Sequence, residues 1–357
     1  MALFDPGRPV RTWLQSVAVL YGLVVRIRLC GYRRGWFASS RLSCPVVSVG
    51  NLTVGGTGKT PMVILLAEWL QAEGRQVAIL SRGYKRTGID SQLLVSDGTK
   101  LLASPSQSGD EPFLMARRCP RAVVAVGSDR VALGRWVLDQ FPVDCILLDD
   151  GFQHVSLQRN VDLVLLDATD ATGLDAMLPA GRLREPLNGL ARATAVVITR
   201  ADSKDEVEAI RRRLQSIPGP IPDPVEVVFR PESLVSVLTE EPMRLDGYRG
   251  EKAWLVSGIG NSGSFRRSAA SSGVVVAGET IFQDHHDYCA EEISRIKSQA
   301  QEVGADLVLT TEKDASKLAP LLAAGDLWWA LRICAEVVKG EEQLRRLVLG
   351  GGKGVVG

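Results

Sequence analysis

The sequence predicts an α/β fold, in which a parallel-sheet domain is followed by a second, smaller α/β domain and preceded by an N-terminal helix. Short apolar runs rich in Val, Ile and Leu alternate with helical segments, which is typical of parallel sheets covered on both faces. Four prolines occupy positions 217–224, where neither a helix nor a central strand forms, so we place the domain linker there. A chain of 357 residues, 45% hydrophobic and 23% charged, can bury the cores of two domains.

Local composition predicts each element in turn. In the first domain, apolar and β-branched runs predict six strands, at 45–49, 76–80, 121–126, 145–148, 161–166 and 195–199, and a helix at 62–72. After the linker, similar runs predict four strands, at 253–257, 274–277, 307–310 and 328–333, and a helix at 290–303. The predicted boundaries are 1–40 for the N-terminal helix, 41–222 for the first domain and 223–350 for the second.

The positive charge of the chain is concentrated at its N-terminus. Residues 1–41 contain seven arginines and a single acid, Asp5, for a net charge of +6. Because the whole chain carries +1, residues 42–357 carry −5. This balance excludes nucleic acid as the main partner, since no basic surface extends along the chain.

An apolar helix is predicted at 13–25, between Arg11 and Arg26. About 20 apolar residues are needed to span a bilayer, so this segment is too short. Arginines follow it instead of a small-residue cleavage site, which argues against a secretory signal. The composition favours a helix in the membrane interface with its arginines on lipid phosphates. The alternative is a buried first helix with a solvated basic end.

The six cysteines form no C-x-x-C pair and are spread through the chain. Such spacing is typical of neither a disulfide framework nor a zinc site. We therefore expect free thiols in a reducing compartment.

A glycine-rich loop follows the first predicted strand and precedes the first helix of the sheet domain, with the sequence Gly50-Asn-Leu-Thr-Val-Gly-Gly-Thr-Gly-Lys-Thr-Pro61. Backbone N–H groups of such a loop bind a phosphate at the helix N-terminus, a lysine reaches the outer phosphates, and a hydroxyl is available to Mg²⁺. The predicted nucleotide-binding residues are Thr53, Val54, Gly55, Gly56, Thr57, Gly58, Lys59 and Thr60. This context predicts a P-loop NTPase-like domain that binds ATP and Mg²⁺, and the alternative is a structural turn.

Two positions of this loop depart from related patterns. The strict Walker pattern has glycine where this chain has Thr53, and Gly55 and Gly56 partly compensate. Val54 stands where the dimerising deviant ATPases carry an extra lysine. The second departure argues against an ATPase switch.

Two aspartates, Asp149 and Asp150, come directly after the apolar run at 145–148. Adjacent carboxylates at a strand end are costly unless a cation or a hydrogen-bond donor meets them. They are therefore candidate magnesium ligands, although one of them could instead cap the following turn.

Two further loops have the composition of a binding site. The segment Ser81-Arg-Gly-Tyr-Lys-Arg86 follows a predicted strand and places three cations and an aromatic ring where a parallel sheet opens onto a ligand. The segment Ser108-Gly-Asp-Glu-Pro112 opens a helix, and its acids could equally be ordinary first-turn residues.

All three histidines lie in polar or acid-rich stretches. His154 follows the aspartate pair, and His285 and His286 lie between Asp284 and Asp287. Histidine beside aspartate is suited to holding or passing a proton near neutral pH. The alternative is a capping loop with a hydrogen-bonded histidine, and no zinc-ligand spacing such as H-E-x-x-H is present.

Seven ordered blocks between residues 45 and 314 resemble the tetraacyldisaccharide 4'-kinase family, the lipid A 4'-kinases of Gram-negative bacteria. Besides the glycine-rich loop they are Ser81-Arg-Gly-Tyr84, Gly109-Asp-Glu-Pro112, Asp149-Asp-Gly-Phe-Gln-His154, Leu178-Pro-Ala-Gly-Arg-Leu-Arg-Glu-Pro186, Phe282-Gln-Asp-His285 and Thr310-Thr-Glu-Lys-Asp314. Thr53 is normal for this family.

The resemblance implies an ATP-dependent kinase of lipid A biosynthesis. Its substrate would be a tetraacylated glucosamine disaccharide 1-phosphate, whose 4'-hydroxyl receives the γ-phosphate to form lipid IVA. The resemblance also implies a monomer at the cytoplasmic face of the inner membrane. An apolar basic N-terminus beside a kinase fold is consistent with an acylated substrate.

The same resemblance assigns site residues. Asp110 matches the catalytic aspartate and His285 its partner in a base dyad. The candidate metal ligands are Thr60, Glu111, Asp149, Asp150 and Gln153, and the candidate substrate contacts are Arg82, Tyr84 and Arg130. Because Asp110 precedes the proline-rich segment and His285 follows it, we expect the dyad to join the two predicted domains.

Two other functions share part of this pattern. A soluble P-loop kinase acting on a small metabolite would need the loop, the aspartates and the base, but not the basic apolar N-terminus. A nucleotide-switch or assembly ATPase would hydrolyse ATP without an acceptor and would not need the base. Partition into liposomes tests the first alternative, and acceptor-dependent ADP release tests the second.

Overall fold

The computed structural model describes residues 8–87 and 91–350, and of residues 8–12 only the backbone. The α-helices are α1 (Arg8–Arg33), α2 (Lys59–Ala72), α3 (Pro105–Ser108), α4 (Asp110–Arg118), α5 (Arg130–Gln140), α6 (Lys204–Gln215), α7 (Ser262–Ser271), α8 (Ala290–Glu302), α9 (Glu312–Leu318) and α10 (Glu341–Gly350). The strands are β1 (Val46–Asn51), β2 (Val77–Ser81), β3 (Gln92–Asp97), β4 (Val123–Gly127), β5 (Cys145–Asp149), β6 (Val161–Asp167), β7 (Ala195–Thr199), β8 (Val225–Ser236), β9 (Pro242–Met243), β10 (Lys252–Ser257), β11 (Val275–Ile281), β12 (Leu307–Thr311) and β13 (Trp328–Lys339).

The chain divides into two compact units. Of the described residues, unit 1 contains those up to Arg82, Gly127–Val228 and those from Val337 to Gly350, and unit 2 contains those within Gly83–Val126 and Phe229–Glu336. This division differs from the predicted boundaries. The N-terminal helix and the residues from Val337 belong with unit 1, and residues 83–126 belong with unit 2. The later boundary falls inside β8 and not in the proline-rich segment, which lies between α6 and β8 in unit 1.

Unit 1 is built on a parallel sheet with the strand order β8-β7-β6-β1-β5-β2. In β1, Val47 lies beside Leu147 of β5 on one side and Val161 of β6 on the other. All residues of β1, β2, β5 and β7 are buried, as expected for parallel strands covered on both faces. The carboxyl ends of these strands meet at one edge of the sheet, where β1 ends at Asn51 and β5 at Asp149.

In unit 2, the strands β11-β10-β12-β13 are neighbours in this order and run parallel. Two apolar clusters form the core of unit 2, one including Val256, Ile296 and Trp328, the other including Leu255 and Leu309. The loops that follow β10, β11 and β12 leave the same edge of the sheet, because the three strands are parallel. Parallel strands and helices thus make up both units, as expected for an α/β fold.

The first helix is longer than predicted. The expected helix covers 13–25, whereas α1 runs over 26 residues, because exposed arginines with long apolar stems do not interrupt a helix. Within it, Trp13–Arg33 is long and apolar enough to cross a membrane by length and composition, so the prediction that this segment is too short was wrong. Asp5 and the side chains of Arg8 and Arg11 lie outside the described part of the chain.

One face of α1 packs on the rest of unit 1 and the other is apolar and exposed. Ala18 is buried, and the Tyr21 hydroxyl donates a hydrogen bond to the Arg184 carbonyl over 3.0 Å. On the outer face, large apolar side chains are half or more exposed, namely those of Trp13, Val19, Leu20, Leu23, Val24 and Ile27. The alternative of a buried first helix is therefore not what the structure shows.

Candidate active site

The glycine-rich loop connects the end of β1 to the start of α2 in unit 1. Gly58, which precedes the helix, has φ 85° and ψ 26°, a left-handed conformation that glycine adopts without steric cost. Within the described residues, no side chain caps the first turn of α2, which begins with Lys59 and Thr60. Its backbone N–H groups are thus placed to bind an anion, as the motif requires.

Polar contacts hold the central part of the loop. Asn51 Nδ2 donates a hydrogen bond to Thr57 Oγ1 over 3.0 Å. The hydroxyl of Thr199, at the end of β7, donates to the Thr57 carbonyl over 2.9 Å. Both contacts are buried, so residues of β1 and β7 set the shape of the loop.

The first part of the loop pairs with the segment around Arg182. Thr53 is buried and forms an isolated antiparallel bridge with Leu183. Val54 N–H donates to the Arg182 carbonyl over 2.9 Å, and the Arg182 guanidinium donates to the Val54 carbonyl over 2.7 Å. At the position where the strict Walker pattern has glycine, the backbone of Thr53 therefore pairs with that of Leu183.

Lys59 and the second aspartate after β5 form an ion pair. Lys59 Nζ lies 3.6 Å from Asp150 Oδ1. Arg184 Nη1 donates to both carboxylate oxygens of Asp150, over 2.8 and 3.1 Å, and its Nη2 donates to Asn51 Oδ1 over 3.0 Å. Burial opposes ionisation of Asp150, but the charges of Lys59 and Arg184 outweigh it and lower the pKa of this carboxyl.

Asp149 and Gln153 lie beside this ion pair. Asp149 is 2% exposed, and its Oδ2 accepts a hydrogen bond from Ser81 Oγ over 2.8 Å. Gln153 Nε2 donates to the Asn51 carbonyl over 3.0 Å and to Glu185 over 2.9 Å. Neither aspartate acts as a turn cap alone, since each meets donors from other strands or loops.

These oxygen donors fit Mg²⁺. In the part of the chain that the structure describes, no three or more His, Cys, Asp or Glu side chains cluster closely enough to hold a metal ion by themselves. Magnesium bound with a nucleotide typically uses one or two carboxylates together with phosphates and water. Asp149, Asp150 and the Thr60 hydroxyl provide that kind of donor set.

Arg130 and His154 have environments that disfavour their charged forms. Arg130 is 1% exposed and donates from Nη1 to the carbonyls of Gly127 and Ser128, over 2.7 and 3.1 Å. Burial lowers the pKa of Arg130 to about 10, against the opposing effect of the aspartates after β5. Burial, with the charges of Arg130 and Arg82, lowers the pKa of His154 to about 4, so this imidazole is neutral near pH 7.

In unit 2, Asp110 is the first residue of α4 and is 8% exposed. Its Oδ2 lies 2.9 Å from Nδ1 of His285, in the loop that follows β11. Burial opposes ionisation of Asp110, but hydrogen bonds from His285 and Lys317 outweigh it and lower the pKa of the carboxyl. Asp110 and Glu111 are first-turn residues of a helix, as the alternative interpretation held, and Asp110 is in addition paired with histidine.

Both members of the pair lie in the same unit, so the expectation that they join two domains was wrong. The physical reason is that the segment containing Asp110 packs with the residues after β8, although it precedes them by more than a hundred positions. Tyr84 lies there too, 59% exposed, with its ring centroid 5.2 Å from that of His285. His286 points elsewhere, pairing with Glu292 over 3.0 Å.

A family model described as tetraacyldisaccharide-1-P 4'-kinase matches residues 10–350. The chain belongs to this family. A tetraacyldisaccharide 4'-kinase of Anaeromyxobacter sp. (strain Fw109-5) is 41% identical over 313 residues, which cover 88% of this chain and 84% of the relative. A tetraacyldisaccharide 4'-kinase of Syntrophus aciditrophicus (strain SB) is 39% identical, covering 89% of this chain and 88% of the relative.

The fold also matches a solved member of the tetraacyldisaccharide 4'-kinase family. The crystal structure of LpxK from Aquifex aeolicus in complex with ATP has a TM-score of 0.76 and 32% sequence identity, and the match covers 96% of this chain and 100% of that chain. Both the family and the α/β fold predicted from the sequence are thereby confirmed.

The residues expected from the kinase family fall into two groups. Unit 1 holds the loop from Thr53 to Thr60 together with Arg82, Arg130, Asp149, Asp150 and Gln153. Unit 2 holds Tyr84, Asp110, Glu111 and His285. Glu111 is thus the one predicted metal ligand that is not in the unit of the nucleotide loop.

Sequence reasoning missed the part played by the segment at 178–186. It was noted only as a block shared with the kinase family, but Arg182 binds the loop backbone and Arg184 binds Asp150. Glu185, 1% exposed, accepts hydrogen bonds from Gln153 and Arg192. The signal in the sequence was two arginines and a glutamate bounded by prolines, a charge-rich turn with no partner nearby in the chain.

Proposed function

We propose that this protein transfers the γ-phosphate of ATP to the 4'-hydroxyl of a tetraacylated glucosamine disaccharide 1-phosphate. Membership of the kinase family supports the class of reaction. The single observation that carries the proposal within the structure is the buried Asp110–His285 pair, joined over 2.9 Å. A nucleotide switch has no use for such a base, whereas transfer to a sugar hydroxyl does.

The transfer requires positioning and charge neutralisation more than covalent chemistry. The oxygen of the 4'-hydroxyl forms a bond to the γ-phosphorus while the bond from that phosphorus to the β,γ-bridging oxygen breaks, and ADP leaves. Asp110 takes the proton from the attacking hydroxyl. Lys59 and the N-terminal amides of α2 stabilise the charge that develops on the phosphates.

Asp149, Asp150 and Thr60 are the residues of unit 1 that would hold Mg²⁺. When bound, this ion neutralises phosphate charge and helps to fix the phosphate geometry. The ion pair with Asp150 holds the Lys59 side chain beside the loop, and the charge of Lys59 lowers the pKa of the Asp150 carboxyl.

We place the protein at the cytoplasmic face of the inner membrane, held there by α1. The exposed apolar face of the helix supports membrane association, and the acyl chains of the substrate require it. Ala18, Tyr21 and Arg28 contact unit 1, the last by a hydrogen bond to the Gln153 carbonyl over 3.1 Å. A helix that lies along a water-soluble unit is better suited to the interface than to crossing the bilayer.

Acceptor-dependent release of ADP tests the proposed function. The purified full chain is incubated with Mg-ATP in detergent micelles, with the disaccharide 1-phosphate or with the same lipid already phosphorylated at the 4' position. We expect ADP release only with the first lipid. Equal ADP release with the 4'-phosphorylated lipid, which offers no free 4'-hydroxyl, would indicate an ATPase. No ADP release with either lipid would indicate a kinase with another substrate.

A further inference from the structure

The Thr310-Thr-Glu-Lys-Asp314 motif spans the end of β12 and the first turn of α9. Thr311 caps the helix, with its Oγ1 accepting from the Asp314 N–H over 3.1 Å. Asp314 is fully buried, and its Oδ2 accepts from the Gly258 N–H over 3.0 Å and from the Thr311 hydroxyl over 2.7 Å. These contacts fix the first turn of α9 to the ends of β10 and β12.

Two lysines project from one face of this anchored helix, because Lys313 and Lys317 are four residues apart. Lys317 Nζ lies 2.7 Å from Asp110 Oδ2 and donates to the His286 carbonyl over 3.2 Å. Its side chain is only 15% exposed. Asp110 Oδ2 therefore accepts hydrogen bonds from both Lys317 and His285, and Oδ1 is the oxygen that would receive a proton from the substrate.

Lys313 contacts the other side of the imidazole. Its Nζ lies 3.1 Å from His285 Nε2 and 2.8 Å from Asp284 Oδ1, and its side chain is 13% exposed. An ammonium group only donates hydrogen bonds, so Nε2 must be the acceptor. In a neutral imidazole the ring proton then lies on Nδ1, where it is donated to Asp110.

We propose that Lys313 and Lys317 are positioning residues of this kinase. Lys313 donates to Nε2 of His285 and, together with Asp110, holds the Nδ1–H tautomer and the ring position, and Lys317 holds the carboxylate of Asp110. This inference rests on the proposed function for the role of Asp110 as the base. In the transfer, the substrate O–H bond breaks and its proton goes to Asp110 Oδ1. His285 keeps its own proton on Nδ1 throughout.

The tautomer can be read directly from ¹⁵N NMR of the full chain labelled at histidine. The chain has three histidines, and a His285→Gln variant identifies the His285 signals, with His154 and His286 as internal references. We expect Nδ1 protonated and Nε2 unprotonated in the wild type. In Lys313→Met we expect the Nε2 resonance to shift, because its hydrogen bond is lost, while Asp110 still holds the proton on Nδ1. An Nε2–H tautomer in the wild type, or no change in Lys313→Met, would overturn the role of Lys313.

This readout does not depend on activity, so it separates the inference from the proposed function. If the wild-type protein did not phosphorylate the lipid, the proposed function would fail while the tautomer result still stood. The wild-type spectrum needs no substitution, so the test holds even if a lysine variant is unstable.

The role of Lys317 is tested by kinetics with a matched control. Lys317→Met should lower kcat by about 10- to 100-fold, as expected for the loss of one hydrogen bond to a charged group, with little change in the KM for ATP. Lys317→Arg should recover part of the loss. The control is Lys297→Met in the same unit, which removes a lysine whose Nζ lies 2.6 Å from Asp326, away from the dyad.

Lys317→Met and Lys297→Met must differ in kcat for the inference to hold. We expect wild-type kcat from Lys297→Met, with thermal unfolding midpoints in both variants close to each other. Equal losses of kcat in the two variants, or no recovery with arginine together with a raised KM for ATP, would show that Lys317 serves stability or nucleotide binding and would overturn its assignment.

Discussion

Asp110 Oδ2 and His285 Nδ1 lie 2.9 Å apart although 175 positions separate the two residues in the chain. Asp110 and His285 are both positioned by backbone conformations that residues other than glycine rarely adopt. Gly109, directly before Asp110, has φ 91° and ψ 155°, and His285 itself has φ 61°. His285 is thus a residue other than glycine in the left-handed region, a conformation that persists where surrounding contacts impose it and that clusters at functional sites.

The first prediction concerns this pair. Asp110→Ala should lower kcat by about 10²- to 10⁴-fold, the usual loss for a general base, with much less effect on the KM for ATP. His285→Ala should cost less, because the imidazole orients the carboxylate and does not take the substrate proton. Steady-state kinetics of the single and double variants, with the lipid acceptor, measures both losses.

The double variant gives the decisive comparison. Since the two substitutions break one unit, the combined loss in kcat should be far smaller than the product of the single losses. Losses that multiply fully would mean that Asp110 and His285 act independently.

The second prediction concerns Gly109. A Cβ at this position would lie 2.9 Å from the Tyr84 carbonyl oxygen, and the backbone conformation is essentially limited to glycine. Gly109→Ala should therefore lower the free energy of unfolding by about 1–3 kcal/mol and also lower kcat, because Asp110 is displaced. Urea unfolding and turnover assays provide the two values.

Gly219→Ala is the matched control for this substitution. Gly219 also has a positive φ, of 103°, but a Cβ there meets nothing within 4 Å. The Gly219→Ala variant should have a somewhat lower free energy of unfolding and an unchanged kcat. If Gly109→Ala kept wild-type kcat as well, the position of Asp110 would not depend on this backbone turn.

The third prediction concerns Lys59. Lys59→Ala removes the charge at the start of α2 that faces the outer phosphates and should lower kcat by about 10²-fold or more. The fold should survive, since Asp150 keeps Arg184 as a partner. Turnover at saturating Mg-ATP, with circular dichroism to confirm folding, tests this. A kcat near the wild-type value would place the nucleotide elsewhere.

The fourth prediction concerns the outer face of α1. Deleting the helix would also remove the contacts of Tyr21 and Arg28 with unit 1, so substitution is the cleaner experiment. Replacing Leu20 and Leu23 together by serine should weaken vesicle binding by about 100-fold, if each leucine contributes about 1.5 kcal/mol on burial in lipid. Sedimentation with anionic vesicles measures the change.

The control variant replaces two exposed apolar residues of unit 2 by serine. Val303 and Leu327 are 41% and 60% exposed in unit 2, and their replacement by serine should leave vesicle binding unchanged. Equal binding by the α1 variant and the wild type would show that this helix face does not contact lipid.

Elements with a strong local signal could be predicted well. The strand at Ala195–Thr199 agrees with the prediction at both ends, and the glycine-rich loop lies between a buried strand and a helix as expected. In contrast, β8 was missed because charged residues such as Glu226 and Glu232 interrupt its apolar pattern. It runs through the later boundary between the units, so the domain limits were missed with it.

Site contacts between residues that are far apart in the chain could not be predicted from local sequence patterns. That Arg184 binds Asp150, and that Lys317 binds Asp110, depends on which strand ends and helix faces the fold brings together. Arginine and lysine in polar segments usually lie in solvent, and even the charge-rich turn at 178–186 does not indicate which carboxylate it binds. The pairing of Asp110 with His285 followed from the family resemblance alone.

The position of the transferred phosphate decides between the proposed kinase reaction and its alternatives. The full chain is incubated with Mg-ATP and the tetraacylated disaccharide 1-phosphate, and the product is examined by ³¹P NMR. We expect a new phosphate monoester on the 4' oxygen, equal in amount to the ADP formed, and its absence with Asp110→Ala. ADP without phosphorylated lipid, or a phosphate on another oxygen, would contradict the proposed function.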